Sequence, residues 1–165
     1  MKSTKLGITP TFIVVYNGPS GETFFYQTER LWEDRKLLNF FRKDELIKLR
    51  RPTFYWADDH YAAQMGLTMK KLYDRGITMQ MGAHGNMMGL GAHWEMELFT
   101  HGSFSNYDAI EIATINGFKH HGLDHILGSV EPGKLADFVI MQKNPLENIR
   151  NTRTIEYVVK NGVVY

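Results

Sequence analysis

Cysteine is absent from this chain of 165 residues. That absence excludes disulfides, thiolate metal ligands and a cysteine nucleophile together. An excess of one charge is also lacking: 19 Lys and Arg stand against 18 Asp and Glu, for a net charge of +1. No basic field of the kind that holds nucleic acid follows from such a balance. The one locally basic stretch, RKDELIKLRRP at Arg42–Pro52, also carries Asp44 and Glu45 and reads as a solvated helix face. No apolar run approaches the roughly 20 residues a membrane helix needs, and the first residues lack the basic-then-apolar texture of a signal peptide. The expectation is a chain with no nucleic acid and no membrane as partners, cytoplasmic by default.

What is present is ordinary globular material, 43% hydrophobic and 22% charged, enough for one core or two small connected ones. Gly7 reads as a helix stop. Ile8–Tyr16, nearly continuous in apolar and β-branched residues, reads as a strand buried on both faces, with Pro10 tolerated near its start. Residues 22–57 crowd together Phe24, Phe25, Tyr26, Trp32, Phe40, Phe41, Phe54, Tyr55 and Trp56. So long a connection implies helices of its own. Its aromatics suit a lid or substrate wall, and most of them fit an inserted mini-core better. Asp58 or Asp59 is placed to cap a helix running to about Arg75, with Ala62, Met65, Met69, Leu72 and Tyr73 on one face and Gly76 as its left-handed stop. Ile77–Met81 is a second strand. Strand, helical region, strand, turn and helix in that order predict β/α units on a parallel sheet.

The next stretch, MGAHGNMMGLGAHWEMELF, holds Gly-Ala-His twice, ending at His84 and His93. Either the two histidines serve a metal, or the glycines supply a flexible loop ahead of a helix. His84 sits where the second strand ends, Gly85 lets backbone pass close to a ligand, and Asn86 offers a polar contact. His93 stands at a helix entry beside Glu95 and Glu97, where hydrogen bonding to loop backbone suits it better than metal ligation. The methionines around the turn read as core filler. Ser105-Asn-Tyr-Asp108 is a capping box for a helix that weakens at Gly117. His120, His121 and His125 follow, and Gly122 breaks the helical spacing of the last two, so they read as surface histidines. Beyond them come a turn at Glu131–Lys134, a strand at Ala136–Met141, and a hairpin of Ile155–Lys160 and Val163–Tyr165 around Asn161-Gly162. A boundary falls near residue 122, with residues 1–122 as the β/α part and residues 123–165 as a small β part.

The stretches LGITPTFIVV, RGITMQMGAHG, GLGAHWEMELF, SNYDAIEIATINGFKHHGL, LGSVEPGKLADFVIM and NPLENIRNTRTIEYVVKNGVVY carry a family likeness. The chain resembles the C-terminal portion of a metal-dependent amidohydrolase of the imidazolonepropionase-like and prolidase-like branch, of the kind often fused to a β-propeller segment. The resemblance implies an α/β fold: the last two units, strands seven and eight, of a (β/α)8 barrel, an aromatic insertion at residues 17–57, and then strands of a β-sandwich. It implies hydrolysis of C–N bonds in amides, cyclic amides or dipeptides as small-molecule substrates. A divalent metal, zinc first among the candidates, would sit at the C-terminal ends of the strands. The family's ligand set includes a His-x-His on strand one, and this sequence contains no His-x-His. The strand-eight Asp of the family falls at His84 here, which makes His84 the catalytic candidate and a possible metal ligand, with Gly85 and Asn86 at the substrate and His93 the lesser metal candidate. Because most ligand positions are missing, the chain alone is expected to be inactive. Two open-edged strands predict association into a homo-oligomer or with a complementing barrel segment. The alternative is a non-catalytic assembly module.

Overall fold

The computed structural model describes residues 6–15, 22–50, 62–84 and 87–165. Two short strands, β1 (Gly7–Ile8) and β2 (Thr78–Met79), pair in parallel with Gly7 opposite Thr78 and Ile8 opposite Met79. The Gln80 N–H extends the ladder by donating to the Ile8 carbonyl at 3.1 Å. Gly7 therefore opens a strand, and the helix it was expected to stop falls on residues outside those described.

The apolar run after Ile8 does not continue as the expected strand. Pro10 has no N–H for a ladder, and Phe12–Val15 turns into the short helix α1. The Val14 N–H closes that turn on the Thr11 carbonyl at 3.2 Å. The N–H groups of Phe12 and Ile13 go to a side chain 82–83 residues away, described below.

The aromatic segment forms α2 (Glu22–Thr28), two 3-10 turns at Leu31–Glu33 and Leu37–Asn39, and α3 (Lys43–Leu49). Its described residues do not form a separate mini-core. Phe25, Tyr26, Leu31 and Leu46 belong to the same buried cluster as Phe12, Trp94, Leu98 and Phe99. Phe25 stacks on Trp94 with ring centroids 4.7 Å apart and planes at 7°. Burying each such side chain is worth about 1.5–3 kcal/mol, which explains why the segment joins the main core. Phe54, Tyr55, Trp56 and the proposed caps Asp58 and Asp59 lie outside the described residues.

Helix α4 (Ala62–Asp74) packs Met69, Leu72 and Tyr73 against the core and ends at Gly76, whose φ of +85° matches the left-handed stop read from the sequence. Helix α5 (Leu90–His101) is the central element, burying Trp94, Glu95, Glu97, Leu98 and Phe99. It begins earlier than the sequence suggested, so His93 lies a full turn inside it. Helix α6 (Asn106–Ala113) starts at the expected capping box: Ser105 Oγ accepts from the Asp108 N–H and Asp108 Oδ2 from the Ser105 N–H, both at 3.0 Å. Thr114 then breaks the chain direction, and α7 (Ile115–His121) follows, with Gly117 inside it and Gly122 as its left-handed stop.

The remainder is an antiparallel sheet in the order β3 (Phe138–Met141), β4 (Ile155–Lys160), β5 (Val163–Val164), with the Asn161-Gly162 hairpin as expected. A 3-10 turn at Ile149–Arg153 leads into β4 and packs on α5. The described residues thus form a mixed α/β fold. None of their helices is long and apolar enough to cross a membrane.

Candidate active site

The C-terminal ends of β1 and β2 lie side by side, and the loops leaving them touch. A Cβ on Gly82 would meet Thr11 Oγ1 at 2.5 Å, Thr9 Cγ2 at 2.8 Å and the Pro10 carbonyl oxygen at 3.0 Å, so only glycine lets the second loop cross the first so closely. Two residues on, His84 is exposed and lines two cavities. One, of about 410 Å³, is bounded by Ile8, Pro10, Thr11, Val14, Met65 and Met69. The other, of about 210 Å³, is bounded by Ala83, Met87, Met88, Gly89, Gly91 and Ala92. Both are largely apolar in lining, with His84 the imidazole between them. Gly85 and Asn86 lie outside the described residues.

Two buried carboxylates hold these loops from opposite sides. Glu95 of α5, with no exposed surface, accepts the Phe12 N–H at 2.7 Å through Oε1 and the Ile13 N–H at 2.8 Å through Oε2. It thereby fixes the chain as it leaves the β1 loop. Burial pushes the Glu95 carboxyl up to about 8, against the opposite pull of those two backbone hydrogen bonds. Glu22 of α2, 3% exposed, accepts the Met87 N–H at 3.3 Å and the Tyr26 hydroxyl at 2.8 Å. The helix after β2 grips the segment after β1, and a helix after β1 grips the segment after β2. Sequence reasoning missed both carboxylates. The available signal was the company of Glu95, which sits among Trp94, Leu98 and Phe99 on a helix too apolar to float in solvent.

His93 lines neither cavity at His84. Its Nδ1 lies 2.9 Å from Thr152 Oγ1, and the Thr152 hydroxyl itself donates to the Ile149 carbonyl at 2.8 Å. The imidazole therefore carries its proton on Nδ1 and donates to Thr152. Burial, with Arg153 and Lys36 adding to it, pushes His93 down to about 4, so the ring is neutral at physiological pH. Glu97 serves the same contact between α5 and the 149–153 turn. It takes Arg150 Nε and Nη2 on Oε1 at 3.0 and 2.5 Å and Arg153 Nη2 on Oε2 at 3.1 Å, while Arg153 also pairs with Glu29 through two bonds of 2.9 Å.

A divalent ion at the His84 mouth would need at least three protein donors. The described linings of both cavities supply one, His84, and otherwise hold apolar residues, glycines and a threonine. Among the described residues no three His, Asp or Glu gather to hold a metal. These residues alone do not fit a metal centre.

The described residues thus set two parallel strands, with His84 in the loop after the second, against a helical layer and a terminal antiparallel sheet. The amidohydrolase family model matches residues 48–165, and the chain belongs to the amidohydrolase family. It is similar to guanine deaminase of Escherichia coli (strain K12), 41% identical over 58 residues that make up 34% of this chain and 13% of that protein. Among solved structures, it is similar to a Xaa-Pro dipeptidase with methionine bound in its active site, at a TM-score of 0.56 and 25% identity over 88% of this chain and 33% of that one. It is also similar to molinate hydrolase, at a TM-score of 0.54 and 25% identity over 62% of this chain and 26% of that one. The chain thus spans from about one eighth to one third of the length of these relatives. The relatives include proteins named as deaminases and proteins named as hydrolases.

Proposed function

We propose that this chain forms the closing section of a metal-dependent amidohydrolase: the last two β/α units of its (β/α)8 barrel in residues 1–122, and sandwich strands in residues 123–165. The enzyme would hydrolyse C–N bonds in small molecules, with amides, cyclic amides and dipeptides as the substrate classes. The observation that carries this reading is the parallel register of β1 and β2, whose C-terminal loops cross at Gly82 and present His84. Barrel enzymes place their chemistry at that end of the strands. His84 would hold or move a proton there or serve as one ligand of a divalent metal, zinc being the first candidate. Gly85 and Asn86 would border the substrate. The other ligands would come from barrel strands outside these residues, and the chain on its own would be inactive.

The partner implied is a complementing barrel segment or a further copy of this chain. Supporting this, the sheet β3–β5 carries half-exposed apolar side chains on both faces: Phe138, Ile140, Tyr157 and Val164 on one, Val139, Val158 and Val163 on the other. Sheets of that character need cover on both sides. This same surface would serve the alternative of a non-catalytic assembly module.

The test is complementation. The chain is co-produced with a segment carrying the six preceding barrel strands of a relative, and zinc-dependent release of amine or ammonia from amide and dipeptide substrates is followed. Hydrolysis in the mixture, absent from either part and reduced at least a hundredfold by His84→Ala, is expected. Hydrolysis that ignores His84, or none in a stably assembled mixture, refutes the catalytic reading and favours the module. Light scattering of the chain alone reads association separately.

A further inference from the structure

Beside the residues that directly follow the same two strands, with none of the His84 cavities' lining residues, lies a third and more polar cavity of about 260 Å³, lined among others by Thr9, Gln80, Gly117, His120 and His121. Gln80 is 8% exposed. Its Nε2 donates to Thr9 Oγ1 at 2.7 Å, while its Oε1 is buried with no hydrogen-bond partner among the described residues. A buried amide oxygen left unpaired forfeits the hydration it had in the unfolded chain and gains nothing in return. His120 approaches the same place: a Cβ on Gly7 would lie 2.9 Å from His120 Nδ1 and 3.0 Å from Gln80 Oε1. The two atoms converge over the bare glycine that opens β1. The His121 ring is adjacent, its centroid 5.3 Å from that of His120 and its plane at 80° to it.

We propose that this cavity is a cation site, separate from the His84 mouth, that takes one divalent transition-metal ion of the zinc, nickel or copper class. Gln80 Oε1 and His120 Nδ1 are its primary donors, His121 contributes a second imidazole, and water completes the shell. The donor chemistry selects the occupant. A carboxamide oxygen can only accept, and a neutral imidazole offers a lone pair on one nitrogen. The lining contains no Lys or Arg to hold an anion. Convergent lone pairs without a counter-donor call for an electron-poor centre, and imidazole favours zinc, nickel and copper over magnesium and calcium. With neutral donors and no thiolate or carboxylate, the site is weaker than a fixed structural zinc centre and open to exchange.

The experiment is equilibrium dialysis of the untagged chain against zinc chloride or nickel chloride alone at pH 7.5, with each variant's fold checked by circular dichroism. Side-chain NMR with copper(II) as a broadening probe accompanies it. One ion per chain is expected. His120→Asn and Gln80→Leu each weaken binding at least tenfold, and Gly7→Ala weakens it by driving a methyl between the donors. His84→Asn leaves it unchanged, and copper broadens the His120 ring and the Gln80 carboxamide first. Because His120 is exposed, its variant keeps the proposal testable even where Gln80→Leu fails to fold. No bound ion, or binding indifferent to His120 and lost with His84, overturns the proposal. Neither result bears on hydrolysis at the mouth, which the complementation assay reads by itself.

Discussion

Replacing Glu95 tests how burial and hydrogen bonding compete at one carboxylate. In the folded chain the group is raised to about 8 from an ordinary 4.5. Between those values the native state holds a proton that the unfolded state has released. Stability therefore falls as pH rises through that window, by about 5 kcal/mol when it has been crossed in full. Glu95→Gln removes the titration and keeps one acceptor for the N–H groups of Phe12 and Ile13, at a cost of about 1–3 kcal/mol near pH 6. Glu95→Ala strands both donors and leaves a cavity, costing about 3–5 kcal/mol, a large share of any domain's stability. The assay is urea unfolding followed by Trp fluorescence from pH 4.5 to 9, with Trp94 beside the mutated site. The difference between wild type and Glu95→Gln isolates the one group. The wild type should lead at low pH and lose its advantage toward pH 9. An advantage that grows with pH would show that the two backbone N–H bonds, not burial, govern the carboxylate, and the reasoning would be refuted.

Three further expectations follow from other contacts. His93 is lowered to about 4 from 6.5, so the unfolded chain binds a proton that the native one refuses, and stability is lost as pH falls through that range. His93→Gln should reduce that acid loss by about 2–3 kcal/mol in unfolding curves at pH 4.5 and 7, and an unchanged acid slope would refute the buried-neutral assignment. Arg153→Ala removes the partner shared by Glu29 and Glu97 and should cost about 3 kcal/mol, with amide exchange quickening in α5 and the 149–153 turn together. Ser105→Ala removes the α6 cap and should lower stability by about 1 kcal/mol, whereas Ser105→Asp should hold it within a few tenths.

What could be read along the chain was what a few neighbouring residues decide among themselves. The capping box at Ser105–Asp108 needs only one turn of backbone, and it stands as expected. The Asn161-Gly162 hairpin and the Gly76 stop rest on positive φ at named residues, and both stand. Where the outcome depended on distant partners, the reading failed. TFIVVY has the composition of a buried strand, but its ladder stops at Pro10, and Glu95 takes the next N–H groups into a helical turn. The aromatic insertion has the composition of a separate mini-core, but Trp94 offers Phe25 a stacking face in the main one. Of the candidate site, only the position of His84 in the loop after β2 could be read along the chain, and its role is the proposal made above. The clamp by Glu22 and Glu95, and the convergence of Gln80 with His120 over Gly7, were not legible there.

The sequence by itself determined the family, the order of strands and helices before a terminal hairpin, the Ser105–Asp108 cap and the turns at Gly76 and Asn161-Gly162. Those properties are local, set by side chains acting on backbone within a few residues. Tertiary structure alone decided which carboxylates are buried, which histidine is neutral and bound to Thr152, and which apolar run is strand or helix. Such outcomes depend on desolvation and on partners dozens of residues away, and neither exists until the chain has closed around α5.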